Sequence, residues 1–153
     1  MKPLITFFTF IISLNAFSQD VKQQLFGEWK VVSVDNGEVY YNWEKDSVSV
    51  SDEFKERLED PESSNLLIQL VKTMYPNKFI FSSTAVTQTS NLETSSRSYT
   101  IDEKRHLIIL KDRNSLGNET PFEMSFRISD KLLYLNMPLT DSETKFVLKK
   151  IGP

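Results

Sequence analysis

From Pro121 to Ser129 apolar and polar side chains alternate without a break: Phe122, Met124, Phe126 and Ile128 fall on one face of an extended chain, Glu123, Ser125 and Arg127 on the other. Side chains of a strand point to opposite faces in turn, so this segment has a dry side and a wet side. Such a strand needs neighbours that hide the same face. Period-two alternation recurs in short runs elsewhere, bounded by Gly, Asn, Asp, Ser or charged clusters. Eight strands are predicted, over 27–34, 78–82, 85–90, 96–102, 106–111, 121–129, 131–137 and 143–150. Phe79 with Phe81, Tyr99 with Ile101, and Phe146 with Leu148 repeat the pattern. Joints such as Asp102-Glu103-Lys104-Arg105 and Ser129-Asp130 are of hairpin length.

Successive hairpins that each carry one apolar face hide those faces together, and eight strands suffice for the sheet to curl until its first and last strands pair. The predicted fold is all-β with a small helical insert, an eight-stranded antiparallel up-and-down β-barrel. Closure also removes exposed strand edges. A β-sandwich of the same strand count is the competing architecture, and the near-absence of long crossovers after residue 78 favours the barrel. The insert lies between the first and second predicted strands. Ser51 or Asp52 caps a short helix with Phe54 and Leu58 one turn apart, and Pro61 breaks it. A second helix from Ser63 or Ser64 carries Leu67, Leu70, Val71 and Met74 at helical spacing until Tyr75-Pro76-Asn77 ends it. Residues 52–75 are thus expected to form a helical lid whose apolar stripe rests on the open barrel mouth.

Residues 1–18 have the pattern of a signal peptide. Lys2 supplies a positive start, Leu4 to Phe17 an apolar core, and Ala16 and Ser18 the small residues read before a cut ahead of Gln19. The core is too short for a permanent membrane span. The expected organisation is therefore a signal peptide, 1–18, and a barrel domain, 19–153, secreted or periplasmic after cleavage. With no cysteine the chain has neither a disulfide framework nor a lipidated cysteine at the cut. No later run approaches the roughly 18 apolar residues of a membrane helix, so an integral membrane protein is not expected. Removing Lys2 leaves 17 basic residues against 21 acidic ones, a net charge of −4, which argues against nucleic acid as a partner. The 153 residues less 18 leave 135, enough for one domain with one core.

Gly27-Glu28-Trp29 opens the first strand eight residues after the predicted cut. A Trp there can plug the closed end of a barrel, and the Gly beside it leaves room for the indole. Three features together, Leu25-Phe26-Gly27-Glu28-Trp29-Lys30-Val31-Val32, the eight-strand count and the closing Phe146-Val147-Leu148-Lys149-Lys150, resemble the lipocalin-like proteins, barrels of the calycin type. Within them the chain is most similar to the small secreted lipocalin-like domains of Bacteroidetes-type bacteria, over nearly all of residues 19–153. The resemblance implies a basic side chain from the last strand over Trp29, a cation–π contact worth about 0.5–1 kcal/mol. Lys149 fills that role here, or Lys150, where the family usually has Arg. The paired helices look like the portal of fatty-acid-binding proteins. The resemblance implies a small apolar, fatty-acid-like or amphipathic ligand inside the barrel, with no cofactor and no chemistry.

The candidate ligand-binding residues are Phe79, Phe81, Tyr99, Phe122, Met124, Phe126 and Tyr134 inside the barrel, with Leu67 and Met74 from the lid. Tyr99, Tyr134 and Asn136 would supply polar groups. The same side chains explain a core equally well, since each contributes about 1.5–3 kcal/mol when buried. A barrel filled by its own side chains, acting as a structural or interaction module, is the alternative reading. Tyr40, Tyr41 and Trp43 cluster in the loop after the first strand, beside Asn36-Gly37, and suit either a flap over the mouth or a surface for protein or glycan. His106 is the single histidine, so no zinc site of ordinary type is expected. No acid or nucleophile adjoins it in a catalytic pattern, and no enzymatic activity is predicted. The acidic run from Asp52 to Glu62 is interrupted by Lys55 and Arg57 and matches no calcium loop. A monomer is expected.

Overall fold

The computed structural model describes residues 21–57, 61–113, 119–139 and 142–152. The signal-peptide segment and Leu58 lie outside them. Ten strands are present among the described residues: β1 (Gly27–Asp35), β2 (Val39–Asn42), β3 (Ser47–Val50), β4 (Lys78–Phe81), β5 (Ala85–Thr89), β6 (Thr94–Asp102), β7 (Leu107–Arg113), β8 (Glu119–Ser129), β9 (Leu132–Leu139) and β10 (Ser142–Ile151). A helical turn over residues 21–25, α1, precedes them, and α2 (Asp52–Arg57) and α3 (Pro61–Met74) stand between β3 and β4.

Eight of the strands form a closed antiparallel ring in the order β1, β4, β5, β6, β7, β8, β9, β10 and back to β1. The seam runs from Glu28 opposite Ile151 to Asp35 opposite Lys145. The predicted barrel is therefore present, with its eight predicted strands as β1 and β4 to β10. The segment expected to be an aromatic loop after the first strand is instead the hairpin β2–β3, which pairs with the upper part of β1, Asn42 to Tyr40 against Ser33 to Asp35. The turn that starts it is made by local hydrogen bonds. Asn36 Oδ1 accepts the amides of Glu38 and Val39, Asp35 Oδ1 accepts that of Gly37, and Gly37 takes φ +86°. Val39 and Tyr41 then turn inward and are buried, while Tyr40 stays exposed.

One extra residue, Val32, shifts the β1–β10 register between Val31 and Ser33. As a result Val31, Ser33 and Val34 are all buried. Elsewhere in the ring no two neighbouring described residues are both buried. The interior is filled by Trp29, Val31, Phe79, Phe81, Ile108, Leu110, Met124, Leu133, Leu135, Phe146 and Leu148, each at most 2% exposed. Phe79 packs edge-on to Phe146 at 5.9 Å, and Phe81 edge-on to Tyr99 at 5.8 Å. Burial of this order, about 1.5–3 kcal/mol for each large side chain, is what holds the ring closed.

β9 reverses one expectation. Leu132, Leu133, Tyr134 and Leu135 are apolar or aromatic at both parities, so the sequence does not declare which face is inner. The structure puts Leu133, Leu135 and Met137 inside, so Tyr134 and Asn136 lie on the outer face, not in the lumen. Arg127 on β8, directly opposite, lays its guanidinium 4.2 Å from the Tyr134 ring centroid.

The helices also differ in detail from expectation. Ser51 caps α2, its Oγ accepting the Phe54 amide at 3.2 Å. Pro61 starts α3 instead of separating the two helices, because a proline's fixed φ and missing N–H suit the first helical position. Leu67, Ile68, Val71 and Tyr75 turn to the core. Leu70 and Met74, read from sequence as part of the inward stripe, are 51% and 62% exposed and continue a second stripe with Leu66 at 70%.

Among the described residues β3 pairs only with β2. The C-terminal end of α3 ties this hairpin to the rest of the wall through side chains. Lys72 Nζ meets Asp46 Oδ1 at 2.7 Å, the Tyr41 hydroxyl donates to Asp46, and Lys72 stands 5.5 Å from the Tyr41 ring centroid. Asn36 Nδ2 donates to the Tyr75 hydroxyl at 3.0 Å, and Asn91 Nδ2, from the β5–β6 turn, to the Lys72 carbonyl at 2.9 Å. The lid expected over the mouth is in part a piece of the wall.

Candidate functional site

The two ends of the barrel are built differently. At the closed end Trp29, fully buried, donates its Nε1–H to the Leu25 carbonyl of α1 at 2.7 Å. Lys150 Nζ stands 5.4 Å from the indole centroid and donates to the Gln24 carbonyl at 3.0 Å. Lys150, not Lys149, therefore covers Trp29. Phe146 and Leu148 face inward, so parity directs Lys150 to the same side and Lys149 outward, where it lies 3.9 Å from Glu44. Gly27 takes φ +117°, and a Cβ there would lie 3.2 Å from Lys150 Cε. The room that the glycine leaves is for the lysine, not for the indole. An outer depression of about 600 Å³ borders this end, rimmed by Lys131, Lys149 and Lys150.

The opposite end opens into a cavity of about 610 Å³. Its apolar lining comes from Phe122 on β8, Met137 and Leu139 on β9, and Met74 at the end of α3. Its polar lining comes from Gln88 on β5, Arg97 on β6, Thr144 on β10, Tyr75 after α3 and Glu38 in the β1–β2 turn. The size lies within the usual range for small-molecule sites, about 300–1,000 Å³. Gln88 Nε2 is buried and has no hydrogen-bond partner. Buried polar atoms are almost always bonded, and leaving one unmade costs about 1–3 kcal/mol.

The residues proposed from sequence divide between cavity and core. Phe122 and Met74 border the cavity. Phe79, Phe81, Tyr99 and Met124 are buried in the packed interior, and Leu67 packs against it from α3. Burial pushes the Tyr99 phenol up, and its hydroxyl already donates to the Ser82 carbonyl at 2.7 Å. Phe126 is buried beside the exposed His106, ring centroids 6.0 Å apart. Tyr134 and Asn136 line a groove of about 340 Å³ on the outer wall, with Ser125, Arg127 and Lys145. Sequence reasoning missed Gln88, Arg97, Thr144, Met137 and Leu139. The signal for Gln88 was available, since it shares the parity of the buried Val86.

At the rim Asp46 is held below the usual carboxylate range, first by its hydrogen bond with Lys72 and then by that with Tyr41. The same contacts raise Lys72, chiefly through Asp46. Tyr41 is raised by burial first and by Asp46 second. Among the described residues no three His, Cys, Asp or Glu side chains group to hold a metal ion, and no helix is long and apolar enough to cross a membrane.

Comparison with known protein families, with curated proteins and with solved structures finds no match to this chain. The likeness to lipocalin-like barrels stands on the closed eight-stranded architecture itself.

Proposed function

We propose that this chain is a non-enzymatic binding protein that holds a small hydrophobic or amphipathic molecule in the mouth of its barrel. The observation that carries this reading is the 610 Å³ cavity at the open end, apolar on its β8–β9 side and polar on its β5–β6 side. Phe122, Met137, Leu139 and Met74 would take the apolar part of a ligand out of water, at about 25 cal/mol for each Å² buried. The packed interior below sets a floor, so the ligand sits in the upper barrel and does not thread its full length. On the pattern of residues 1–18 alone, we place the mature protein outside the cytoplasm.

Calorimetric titration with saturated alkyl carboxylates of increasing length tests the proposal. Affinity should rise by about 0.8 kcal/mol per methylene until the tail reaches the floor. A response independent of length would overturn it. The extent of the packed interior favours a second reading, a structural module with no small-molecule ligand, and absence of binding at every length would leave that one.

A further inference from the structure

We infer that the outer wall of the barrel binds an acidic saccharide in a groove on β8, β9 and β10, its carboxylates held by Arg127 and Lys145 and its hydroxyls by Asn136 and Ser125. The groove, of about 340 Å³, is lined by Ser125, Phe126, Arg127, Tyr134, Asn136 and Lys145 and shares no residue with the mouth. The inference is therefore independent of the function proposed above. Ladder pairing fixes the layout. Ser125, Asn136 and Lys145 lie directly opposite one another across the three strands, and Arg127 opposite Tyr134 forms the next row on the same face. Arg127 and Lys145 are exposed and the other three polar residues half-buried, so all five can be reached from solvent.

Arg127 is pre-set for an oxyanion. Its guanidinium lies 4.2 Å from the Tyr134 ring centroid, and stacking orients the fork while using none of its N–H donors. Among the described residues neither Arg127 nor Lys145 meets a carboxylate, and the side chains of Ser125, Tyr134 and Asn136 make no hydrogen bond. Elsewhere on the surface Lys55, Lys72, Lys78 and Arg105 all have carboxylate partners. Acidic groups stand outside the groove. Glu123 and Glu143 lie two positions nearer the mouth, with Glu123 met by Arg105 at 3.6 Å, and Asp35, opposite Lys145 on β1, accepts the Gly37 amide. The strands of the two cations are separated by β9 and so stand about 10 Å apart, which suits successive acidic groups along a chain better than a single ion. Between them the amide of Asn136 and the hydroxyls of Ser125 and Tyr134 both donate and accept, as sugar hydroxyls do. An acidic peptide would meet the cations and leave these neutral groups to water.

The test is calorimetric titration of the protein with three probes of one length in units: tri-galacturonate, its methyl ester and tri-glutamate. Tri-galacturonate should bind roughly tenfold or more tightly than either of the others. The ester keeps the rings and removes the charge; the peptide keeps the charge and removes the rings. Arg127→Gln should lower the affinity for tri-galacturonate roughly tenfold, and Asn136→Leu should narrow its advantage over tri-glutamate. Circular dichroism shows whether each variant folds, and the comparison of probes on the unaltered protein needs no variant. Equal binding of the ester would overturn the role of the two cations, and equal binding of tri-glutamate would overturn the saccharide in favour of an acidic peptide. Full affinity in folded Arg127→Gln would overturn the groove as the site. No binding of any probe would overturn the inference outright, and none of these results bears on the mouth.

Discussion

Lys150 passes its Cε within 3.2 Å of the point where a side chain on Gly27 would begin, and this close passage brings its ammonium over Trp29. Glycine and lysine are 123 residues apart in sequence but belong to the two strands that close the ring. The Gly27, Trp29 and Lys150 set is therefore one structural unit at the barrel's sealed end.

Gly27→Ala should destabilise the protein by about 1–3 kcal/mol, because φ +117° strains any residue with a Cβ. The flexible lysine can yield, so most of the loss comes from the backbone. Urea denaturation measures it, and an unchanged midpoint would show that the conformation is not needed.

Trp29→Ala removes a fully buried indole and the hydrogen bond to Leu25, and should cost about 3–5 kcal/mol in the same assay. A loss under about 1 kcal/mol would show that the indole is not what seals the barrel.

Lys150→Met and Lys149→Met distinguish the two neighbouring lysines. Lys150→Met keeps an apolar stem over Trp29 but loses the cation–π contact and the bond to Gln24, a cost of about 1 kcal/mol. Lys149→Met loses only an exposed pairing with Glu44 and should be the milder change. The reverse order of stabilities would contradict the placement of the two side chains.

Acid should loosen α3 from the β2–β3 hairpin. Asp46 has a depressed pKa when folded, so its contribution is complete above the unfolded carboxylate value and is lost as pH falls through the lower folded value. Lys72 has the opposite sense: its contribution is complete below the ordinary lysine range and is lost as pH rises beyond it. The latch is thus whole at neutral pH and begins to weaken only below the ordinary carboxylate value of about 4. Amide hydrogen exchange at the end of α3 should quicken on acidification, and Asp46→Asn should be fast already at neutral pH. Asp52 with Lys55 and Asp102 with Arg105 titrate in the same direction elsewhere, so the local readout is the informative one.

Much of the barrel was legible because alternation in β6 and β8 names an inner face outright, and Phe79 with Phe81 and Phe146 with Leu148 repeat the spacing. Phe122, Met124 and Phe126 could sit only one way. Tyr134 could not be placed, because its neighbours Leu133 and Leu135 are equally apolar and only pairing with β8 and β10 settles which parity is inside. The β2–β3 hairpin was hidden by Tyr40, Tyr41 and Trp43, whose adjacency breaks the period. Two apolar stripes on α3, Leu66–Leu70–Met74 and Leu67–Val71, differ by about 100° in direction, and hydropathy does not choose between them. The cavity was the least legible feature. It depends on where the packed aromatics stop, which is a matter of spatial neighbours across five strands.

Halfway along its length β1 exchanges one partner for another: β4 flanks it as far as Lys30, β2 takes over from Ser33, and β10 accompanies both halves. The lower course is joined by peptide ladders all the way round, whereas α3 is fastened above by a few side chains. A stiff basin thus carries a compliant rim. On the proposed binding function, guests of different girth would be admitted by displacing α3 while the β1–β4 and β1–β2 ladders stay in place.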